Sequence, residues 1–293
     1  MSGSGRTIWI TGASSGIGEA LAVALAAEGA ALILSGRRRE ALEALAAMLP
    51  GDHLVLPFEA TDWAALEPAV EHAWSWRDGV DMLVNNAGIS QRSLAIDTRP
   101  DVFRRLIETD LLAPIWLTQT ILPLMVERRG GHIVAIASVA GRVGTPLRTG
   151  YCAAKHGLIG YFDALRAEVE EAYGIGVTNV LPGSVRTNVS VNALQGDGSS
   201  RGVSDVNIEH GMDPAECARQ ILAGVAAGAR ELIVAEGTEA GAAELRRSDP
   251  ERLFGLLARE GARLAAQREA GGGSDWRPEP ARTNRPAAPD SGR

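Results

Sequence analysis

The sequence predicts a single doubly wound α/β domain with a mostly parallel, seven-stranded sheet and helices on both faces. Three observations predict it. Short apolar segments alternate with helix-period segments through residues 8–235. A glycine-rich turn connects the first strand to the first helix, as in Rossmann-type domains. Composition does not change before the C-terminus, so the 293 residues are interpreted as one large domain.

Buried parallel strands are short apolar runs, and the helices between them are rich in alanine and leucine. The predicted strands are residues 8–10, 31–35, 53–57, 81–84, 131–137, 177–181 and 231–235. The predicted helices are residues 17–28, 40–49, 63–74, 102–127, 151–173, 213–227 and 246–270, the fourth interrupted near Pro114 and Pro123.

The domain organisation follows from this alternation. Residues 5–240 are expected to form the cofactor-binding and catalytic domain. Within it, residues 188–212 are polar and lack a clear period, which is typical of a lid over a ligand site. Residues 241–270 are expected to form a helical extension, and residues 271–293, rich in Gly, Pro, Ser and Arg, a disordered tail.

Composition excludes several classes of function. The net charge of −7 argues against a general surface for nucleic acid or anionic membranes. The five histidines lack ligand spacing, so no metal site is expected, and two cysteines suit a reducing cytoplasm. No apolar run is interpreted as long enough to cross a bilayer. We expect a cytoplasmic protein that binds neither nucleic acid nor membrane.

Residues 11–18, Thr-Gly-Ala-Ser-Ser-Gly-Ile-Gly, follow the first predicted strand. The N–H groups of such a turn and the N-terminus of the next helix form a site for phosphate. The spacing Gly-x-x-x-Gly-x-Gly differs from the Gly-x-Gly-x-x-Gly of the standard dinucleotide fingerprint. The turn indicates a phosphate-bearing cofactor because a strand precedes it and a helix follows it.

The second predicted strand ends at Gly36, which is followed by Arg37, Arg38 and Arg39. In NAD-binding domains an acidic residue near this point binds the ribose 2′-hydroxyl. Arginine suits a 2′-phosphate instead, and no carboxylate is present here to bind the free diol. We expect NADP(H) in preference to NAD(H). The alternative is that the arginines only end a strand in solvent.

Tyr151 and Lys155 are four residues apart in a predicted helix, so their side chains share one face. A phenol keeps its proton at neutral pH, but a neighbouring ammonium favours the phenolate and makes a tyrosine a usable acid or base. Ser138 ends a buried strand, where doubly wound sheets bind their ligands. By itself, however, such a pair is more often two solvated side chains, because neighbours at this spacing are common.

Five motifs occur in order: Thr11-Gly-x-x-x-Gly-Ile-Gly18, Asn85-Asn-Ala-Gly88, Ser138, Tyr151-x-x-x-Lys155 and Pro182-Gly183. With these motifs, residues 5–235 resemble the short-chain dehydrogenase/reductase family. Residues 88–93 and 188–198 look like its dehydrogenase/reductase member 7 group, close to the 11β-hydroxysteroid dehydrogenases. The resemblance implies reduction of lipophilic carbonyl compounds and assembly into homodimers or homotetramers.

The resemblance also implies roles for the motifs. Tyr151 would exchange a proton with the substrate oxygen, Ser138 would hold that oxygen, and Lys155 would assist Tyr151 and bind the nicotinamide ribose. The expected cofactor-binding residues are Gly12, Ser14, Ser15, Gly16, Ile17, Gly18, Arg37, Arg38, Glu59, Ala60, Asn86, Ala87, Gly88, Tyr151, Lys155, Pro182, Gly183, Val185 and Thr187.

Two positions depart from the family pattern. Asp110 stands where the family usually has an asparagine that holds a proton-relaying water, and we count it among the catalytic residues. Beside Lys155, its charge would partly cancel the positive field at Tyr151; alternatively it faces elsewhere. Glu59 replaces an aspartate that contacts adenine, and its longer side chain can reach the same group.

The predicted function is therefore an NADP(H)-dependent oxidoreductase that interconverts a ketone or aldehyde and the alcohol of a lipophilic small molecule. The alternative is a catalytically weak NADP-binding protein with a regulatory or scaffolding role, which Asp110 motivates. Substrate selection is expected to depend on residues 90–94, 142–149 and 188–212.

Overall fold

The computed structural model describes residues 5–271, so the predicted disordered tail lies outside the described residues except for Gly271. Seven parallel strands form one sheet in the order β3-β2-β1-β4-β5-β6-β7. The strands are β1 (Thr7–Thr11), β2 (Ala31–Ser35), β3 (His53–Val55), β4 (Met82–Asn85), β5 (Gly131–Ile136), β6 (Ile175–Pro182) and β7 (Glu231–Val234).

The strand order reverses between β1 and β4. The chain moves outward from β1 to β3, returns to β4 on the other side of β1, and continues outward to β7. At such a reversal the connections leave in opposite directions, so a crevice opens at the carboxyl ends of the two central strands. The predicted doubly wound α/β fold is confirmed.

Both faces of the sheet are buried, because successive side chains of a strand point to opposite sides. Ile8 and Ile10 of β1 belong to one apolar core, and Trp9 between them belongs to the other. The first core is covered by α1 (Gly16–Ala27), α2 (Arg39–Met48) and α8 (Pro214–Ala226). The second is covered by α3 (Trp63–Ser75), α5 (Ala113–Arg128) and α6 (Thr149–Tyr173).

The helix before β5 departs from the predicted interruptions. It consists of α4 (Pro100–Ile107), a π-helical turn (Glu108–Leu112) and α5. The interruption predicted near Pro114 is found as the π turn, which contains Asp110 and ends two residues before this proline. The interruption predicted near Pro123 is not found, because Pro123 is accommodated within α5.

This helix bears on the expectation about apolar runs. Residues 100–128 are long and apolar enough to cross a membrane by length and composition, with a mean hydropathy of 1.3 over an 18-residue window. Buried core helices meet the same criterion, and Leu117, Ile121 and Met125 pack here in the second core. Meeting this criterion is therefore weak evidence that the helix crosses a membrane.

The C-terminal extension forms two helices, α9 (Gly237–Ser248) and α10 (Pro250–Glu269), where one was predicted. Asp249 separates them, and its side chain accepts a hydrogen bond from the Arg252 N–H at 3.1 Å. Leu253 packs on Val139 next to Ser138. The extension therefore contacts the core domain beside the predicted site.

Residues 188–212 are mostly irregular, as predicted, with one short helix, α7 (Val206–Glu209). Leu194 attaches this segment to the chain that follows β4. Its N–H donates to the Ser90 carbonyl, and its carbonyl accepts from the Arg92 N–H, both at 2.8 Å. The predicted lid is therefore paired with the segment after β4.

Candidate active site

The glycine-rich turn packs tightly on the segment after β4. A Cβ on Gly12 would lie 2.8 Å from the Ala87 Cα, and one on Gly18 would lie 2.4 Å from the Gly12 carbonyl oxygen. Gly12 also has a φ of +65°, which favours glycine. The Asn86 amide donates to the carbonyls of Thr11 and Gly12 at 2.9 and 3.2 Å. Packing thus holds backbone against backbone at the base of the crevice, and the Asn86 side chain fixes the two segments to each other.

The first turn of α1 suits a phosphate. Ser15 precedes the helix, and its side chain makes no capping hydrogen bond, so the first N–H groups remain available to an anion. A Cβ on Gly16 would lie 2.9 Å from the Thr187 Cγ2. The turn that carries Ser14 to Gly18 therefore adjoins the segment Pro182 to Thr187 that follows β6. A ligand that carries phosphate fits the start of this crevice.

Two arginines flank the turn. Arg38 Nη2 lies 3.3 Å from the Ser14 carbonyl oxygen and 3.2 Å from the Ser14 Oγ, to both of which it donates. Arg37 Nη1 is 3.8 Å from the Glu59 carboxylate, and Ala60 follows Glu59 after β3. Arg39 instead belongs to α2 and pairs with Glu43. Positive charge is thus concentrated at the end of β2.

Tyr151 and Lys155 share one face of α6, as predicted. Lys155 is buried, and its Nζ lies 5.7 Å from the centroid of the Tyr151 ring. The ammonium donates to the Ile136 carbonyl at 3.1 Å and lies 3.5 Å from Asp110 Oδ2. These contacts hold the lysine between β5 and the π turn.

Asp110 faces this site, which excludes the alternative that its side chain points elsewhere. The side chain is fully buried, and Oδ1 accepts a hydrogen bond from the Ile89 N–H at 2.8 Å. Oδ2 has no hydrogen-bond partner within residues 5–271, and its distance to Lys155 is that of an ion pair. Burial raises the pKa of the Asp110 carboxyl, although Lys155 and the Ile89 N–H act in the opposite direction.

Ser138 joins the ends of β5 and β6. Its Oγ donates to the Pro182 carbonyl at 3.3 Å and accepts from the Ala140 N–H at 3.1 Å. Gly183, the next residue, donates its N–H to the Val234 carbonyl at 2.9 Å. Ser138 therefore lies beside the segment that contains Pro182, Gly183, Val185 and Thr187.

Glu239 of α9 is a contact that the sequence did not reveal. One carboxylate oxygen accepts from the Ser184 N–H, and the other accepts from the Ser184 Oγ at 2.9 Å. A single glutamate in a polar segment has no motif to mark it. The C-terminal extension thereby fixes the backbone next to Gly183.

Three arginines surround Asp205, and we call these four residues the Asp205 cluster. Arg92 Nε donates to Asp205 Oδ2 at 2.6 Å, Arg201 pairs with Oδ1, and Arg148 Nη2 lies 3.6 Å from Oδ2. The side chains of Arg92, Arg201 and Asp205 are each 7% exposed. The cluster joins the three segments that the sequence indicated for substrate selection, although its members were not predicted.

Gln91 is a second missed residue on this side of the crevice. It is fully buried, and its Oε1 accepts from the Gly150 N–H at 2.9 Å. Its Nε2 donates to the hydroxyls of Ser93 and Thr98, each at 3.1 Å. Because Gly150 directly precedes Tyr151, Gln91 connects the segment after β4 to the start of α6.

Comparison with known proteins agrees with this architecture. A family model described as short chain dehydrogenase matches residues 6–197. Dehydrogenase/reductase SDR family member 7B of Bos taurus is 41% identical over 258 residues, which cover 85% of this chain and 79% of the relative. The chain is thus similar to the member 7 group, as the motifs indicated.

Solved structures show the same fold. A short-chain dehydrogenase from Sphingobium yanoikuyae in complex with NADPH has a TM-score of 0.67 at 26% identity, covering 94% of this chain and 98% of that one. A short chain dehydrogenase/reductase from Burkholderia phymatum in complex with NAD has a TM-score of 0.76 at 19% identity, covering 86% and 96%. From its sequence, its sheet and the arrangement of its motifs, the chain belongs to the short-chain dehydrogenase family of oxidoreductases.

Proposed function

We propose that the protein interconverts a ketone or aldehyde and the corresponding alcohol of a lipophilic small molecule, with NADP(H) as cofactor. The observation that carries this proposal is the position of Tyr151, Lys155 and Ser138 at the same edge of the sheet as the glycine-rich turn. Lys155 binds the carbonyl of Ile136, two residues before Ser138, so helix α6 and strand β5 present their polar groups together.

In the proposed reaction, the nicotinamide ring of the bound cofactor supplies or accepts the hydride. Tyr151 donates a proton to the substrate oxygen during reduction and removes it during oxidation. The Ser138 hydroxyl donates a hydrogen bond to the same oxygen. Lys155 supplies positive charge beside the tyrosine ring, at 5.7 Å from its centroid.

Residues of this chain would hold the cofactor along the crevice. The available N–H groups after Ser15 suit its phosphates. Asn86, Ala87 and Gly88 adjoin the turn and would pack on a ribose, and the segment from Pro182 to Thr187 would hold the carboxamide. Arg37 and Arg38 follow β2 beside the glycine-rich turn, and their charges would suit the two negative charges of a 2′-phosphate, which supports NADP(H).

The lipophilic character of the substrate is proposed from the surroundings of Tyr151. The ring packs in an apolar cluster with Ile89, Val102, Leu106 and Leu194, of which Leu194 belongs to the lid. Val102, Leu106 and Leu194 are buried, so Ile89 and the Tyr151 ring are the apolar groups of this cluster that a substrate can contact, and burial of their apolar area favours a lipophilic substrate.

Replacement of Tyr151 by phenylalanine tests the reaction. Reduction of a panel of ketones and aldehydes, followed as NADPH consumption, should fall about 10²–10⁴-fold, because the proton donor is lost. Tyr173→Phe, at the other end of the same helix, is the matched control and should retain activity. Equal rates for wild type and Tyr151→Phe would instead favour the alternative, a catalytically weak NADP-binding protein, which the Asp110 charge 3.5 Å from Lys155 motivates.

Replacement of Arg38 by glutamine tests the cofactor preference. The variant should bind NADPH roughly tenfold more weakly and NADH unchanged, since a charge-assisted hydrogen bond to the 2′-phosphate is lost. Fluorescence titration measures both affinities. Arg39→Gln, whose side chain pairs with Glu43, is the control. Tighter binding of NADH than NADPH by the wild type would contradict the proposed preference.

A further inference from the structure

The Asp205 cluster carries an excess of positive charge. Three guanidinium groups share one carboxylate, and within residues 5–271 no second carboxylate lies within the 4.0 Å ion-pair distance of Arg92, Arg148 or Arg201. Burial, and then the Arg148 charge, lower the pKa of Arg92 to about 10, although Asp205 opposes this. Uncompensated charge removed from water is costly, so the cluster favours the approach of an anion.

Arg148 is the member of the cluster that a ligand can reach. Its side chain is 21% exposed, three times the value for Arg92 and Arg201. Its contact with Asp205, at 3.6 Å, is too long for a hydrogen bond, and no hydrogen bond of its guanidinium is found in the described part of the chain. A guanidinium has five N–H donors, which match a carboxylate or a phosphate in a bidentate geometry.

The cluster adjoins the reacting end of the proposed site. Arg148 precedes Tyr151 by three residues, about 5 Å along a helix axis. On the other side, Leu194 packs in the apolar cluster with Tyr151, and its carbonyl accepts from the Arg92 N–H at 2.8 Å. The apolar cluster that includes Tyr151 and the Asp205 cluster therefore meet at Leu194, on the lid side of Tyr151.

We infer that Arg148, supported by Arg92 and Arg201, binds an anionic group of the substrate, which is therefore an amphiphilic carbonyl compound with a carboxylate or phosphate. This inference deepens the proposed function and rests on it for the identity of the reacting group. The ligand anion offsets the excess charge of the cluster, and the apolar part of the substrate lies against Ile89 and the Tyr151 ring, which are partly exposed.

Direct binding of unreactive probes tests the anion site without relying on turnover. Isothermal titration of the full-length protein with decanoate, decyl phosphate and decanamide compares two anions with a neutral molecule of the same chain length. At least one anion should bind roughly tenfold more tightly than the amide, because a charged pair is worth more than a neutral one. The stronger of the two anions identifies carboxylate or phosphate as the natural group.

Variants of Arg148 assign that preference to the cluster. Arg148→Gln should abolish the advantage of the anion and leave decanamide binding unchanged, whereas Arg148→Lys should keep part of it, since the charge remains without the planar fork. Arg247→Gln, whose side chain is 78% exposed and pairs with Glu244, is the matched control. Equal affinity for anions and amide, or an anion advantage that survives in Arg148→Gln, would overturn the inference.

Turnover separates this inference from the proposed function. An aliphatic oxo acid and its amide are offered with NADPH, and the acid should be the better substrate by kcat/KM in the wild type but not in Arg148→Gln. Failure to reduce either compound, with the anion preference in binding intact, would contradict the proposed reaction and still support the anion site. Reduction of both at equal kcat/KM, without an anion preference in binding, would overturn the inference and leave the reaction in place.

Discussion

Two sides of the crevice are held together by different means. We call residues 11–18 and 86–88 the proposed cofactor side, and residues 90–94, 142–149 and 188–212 the proposed substrate side. On the cofactor side, glycines bring backbone against backbone: a Cβ on Gly18 would lie 2.4 Å from the Gly12 carbonyl oxygen, and the Asn86 amide adds hydrogen bonds to the same backbone. On the substrate side, side chains make the connections, with Asp205 shared by three arginines and Gln91 bonded to Gly150. Backbone contact restricts a position to one residue type, whereas a network of side chains can be built from many combinations.

The largest expected effect comes from removing the centre of the substrate side. Asp205→Ala leaves Arg92 and Arg201 buried without a counter-charge, and the free energy of unfolding should fall by about 3–5 kcal/mol. Urea denaturation measures this loss. Asp101→Ala, which removes an exposed pair with Arg99, should cost less than about 1 kcal/mol.

If cofactor affinity is unchanged in folded Asp205→Ala protein, the two sides of the crevice are independent, as their different contacts suggest. A loss of stability no larger than that of the Asp101 control would show that solvent or rearrangement compensates the arginine charges.

The second prediction concerns the cofactor side. Gly18→Ala places a methyl group against the Gly12 carbonyl, and overpacking of this kind costs about 1–3 kcal/mol of unfolding free energy. NADPH affinity should fall as well, because the turn must move. Gly160→Ala is the matched control, since nothing lies within 4 Å of its Cβ position in α6. The free energy of unfolding of that variant should rise by up to about 1 kcal/mol, because alanine favours the helix more than glycine does. Similar behaviour of the two alanine variants would refute the backbone restriction.

The smallest expected effect lies where the two sides meet, at Asp110. Because burial raises its pKa in the folded state, its protonation contributes stability below the unfolded-state pKa, and this contribution is lost as pH rises through the folded-state pKa. Asp110→Asn should lack that pH-dependent loss. The free energy of unfolding, measured by urea denaturation at several pH values, tests this. Turnover by the variant should be severalfold faster and less sensitive to pH, because no carboxylate opposes the Lys155 charge. An identical pH profile for variant and wild type would contradict this role.

The difference between backbone contacts and side-chain networks also explains which parts of the molecule could be predicted from the sequence. Strands such as residues 31–35 are recognisable because both of their faces are buried, which leaves a continuous apolar run. The turn at residues 11–18 is recognisable because steric contact requires glycine at Gly12 and Gly18. These are local properties of the chain.

The features that the sequence did not predict depend on contacts between residues far apart in the chain, or on the geometry of a helix. Arg92 and Asp205 are 113 residues apart, and neither has a neighbour in sequence that marks it. Glu239 reaches Ser184 only because α9 folds back over the end of β6. Interruptions were predicted at Pro114 and Pro123 from the missing N–H of proline, whereas the structure forms a π turn at residues 108–112, before Pro114, and keeps Pro123 within α5.

That π turn makes the catalytic site sensitive to insertions and deletions as well as to substitutions. A π turn accommodates one more residue than the α-helical turn that would replace it. Deletion of one residue between 108 and 112 would restore a regular helix and leave α4 and α5 in the same relative orientation, because the π turn absorbs the extra residue. Within the turn the side chains would shift, so a carboxylate there would change its position relative to Lys155 while every motif stays in place. Relatives that differ by one residue in this helix can therefore differ in the charge beside the lysine while sharing all of the motifs.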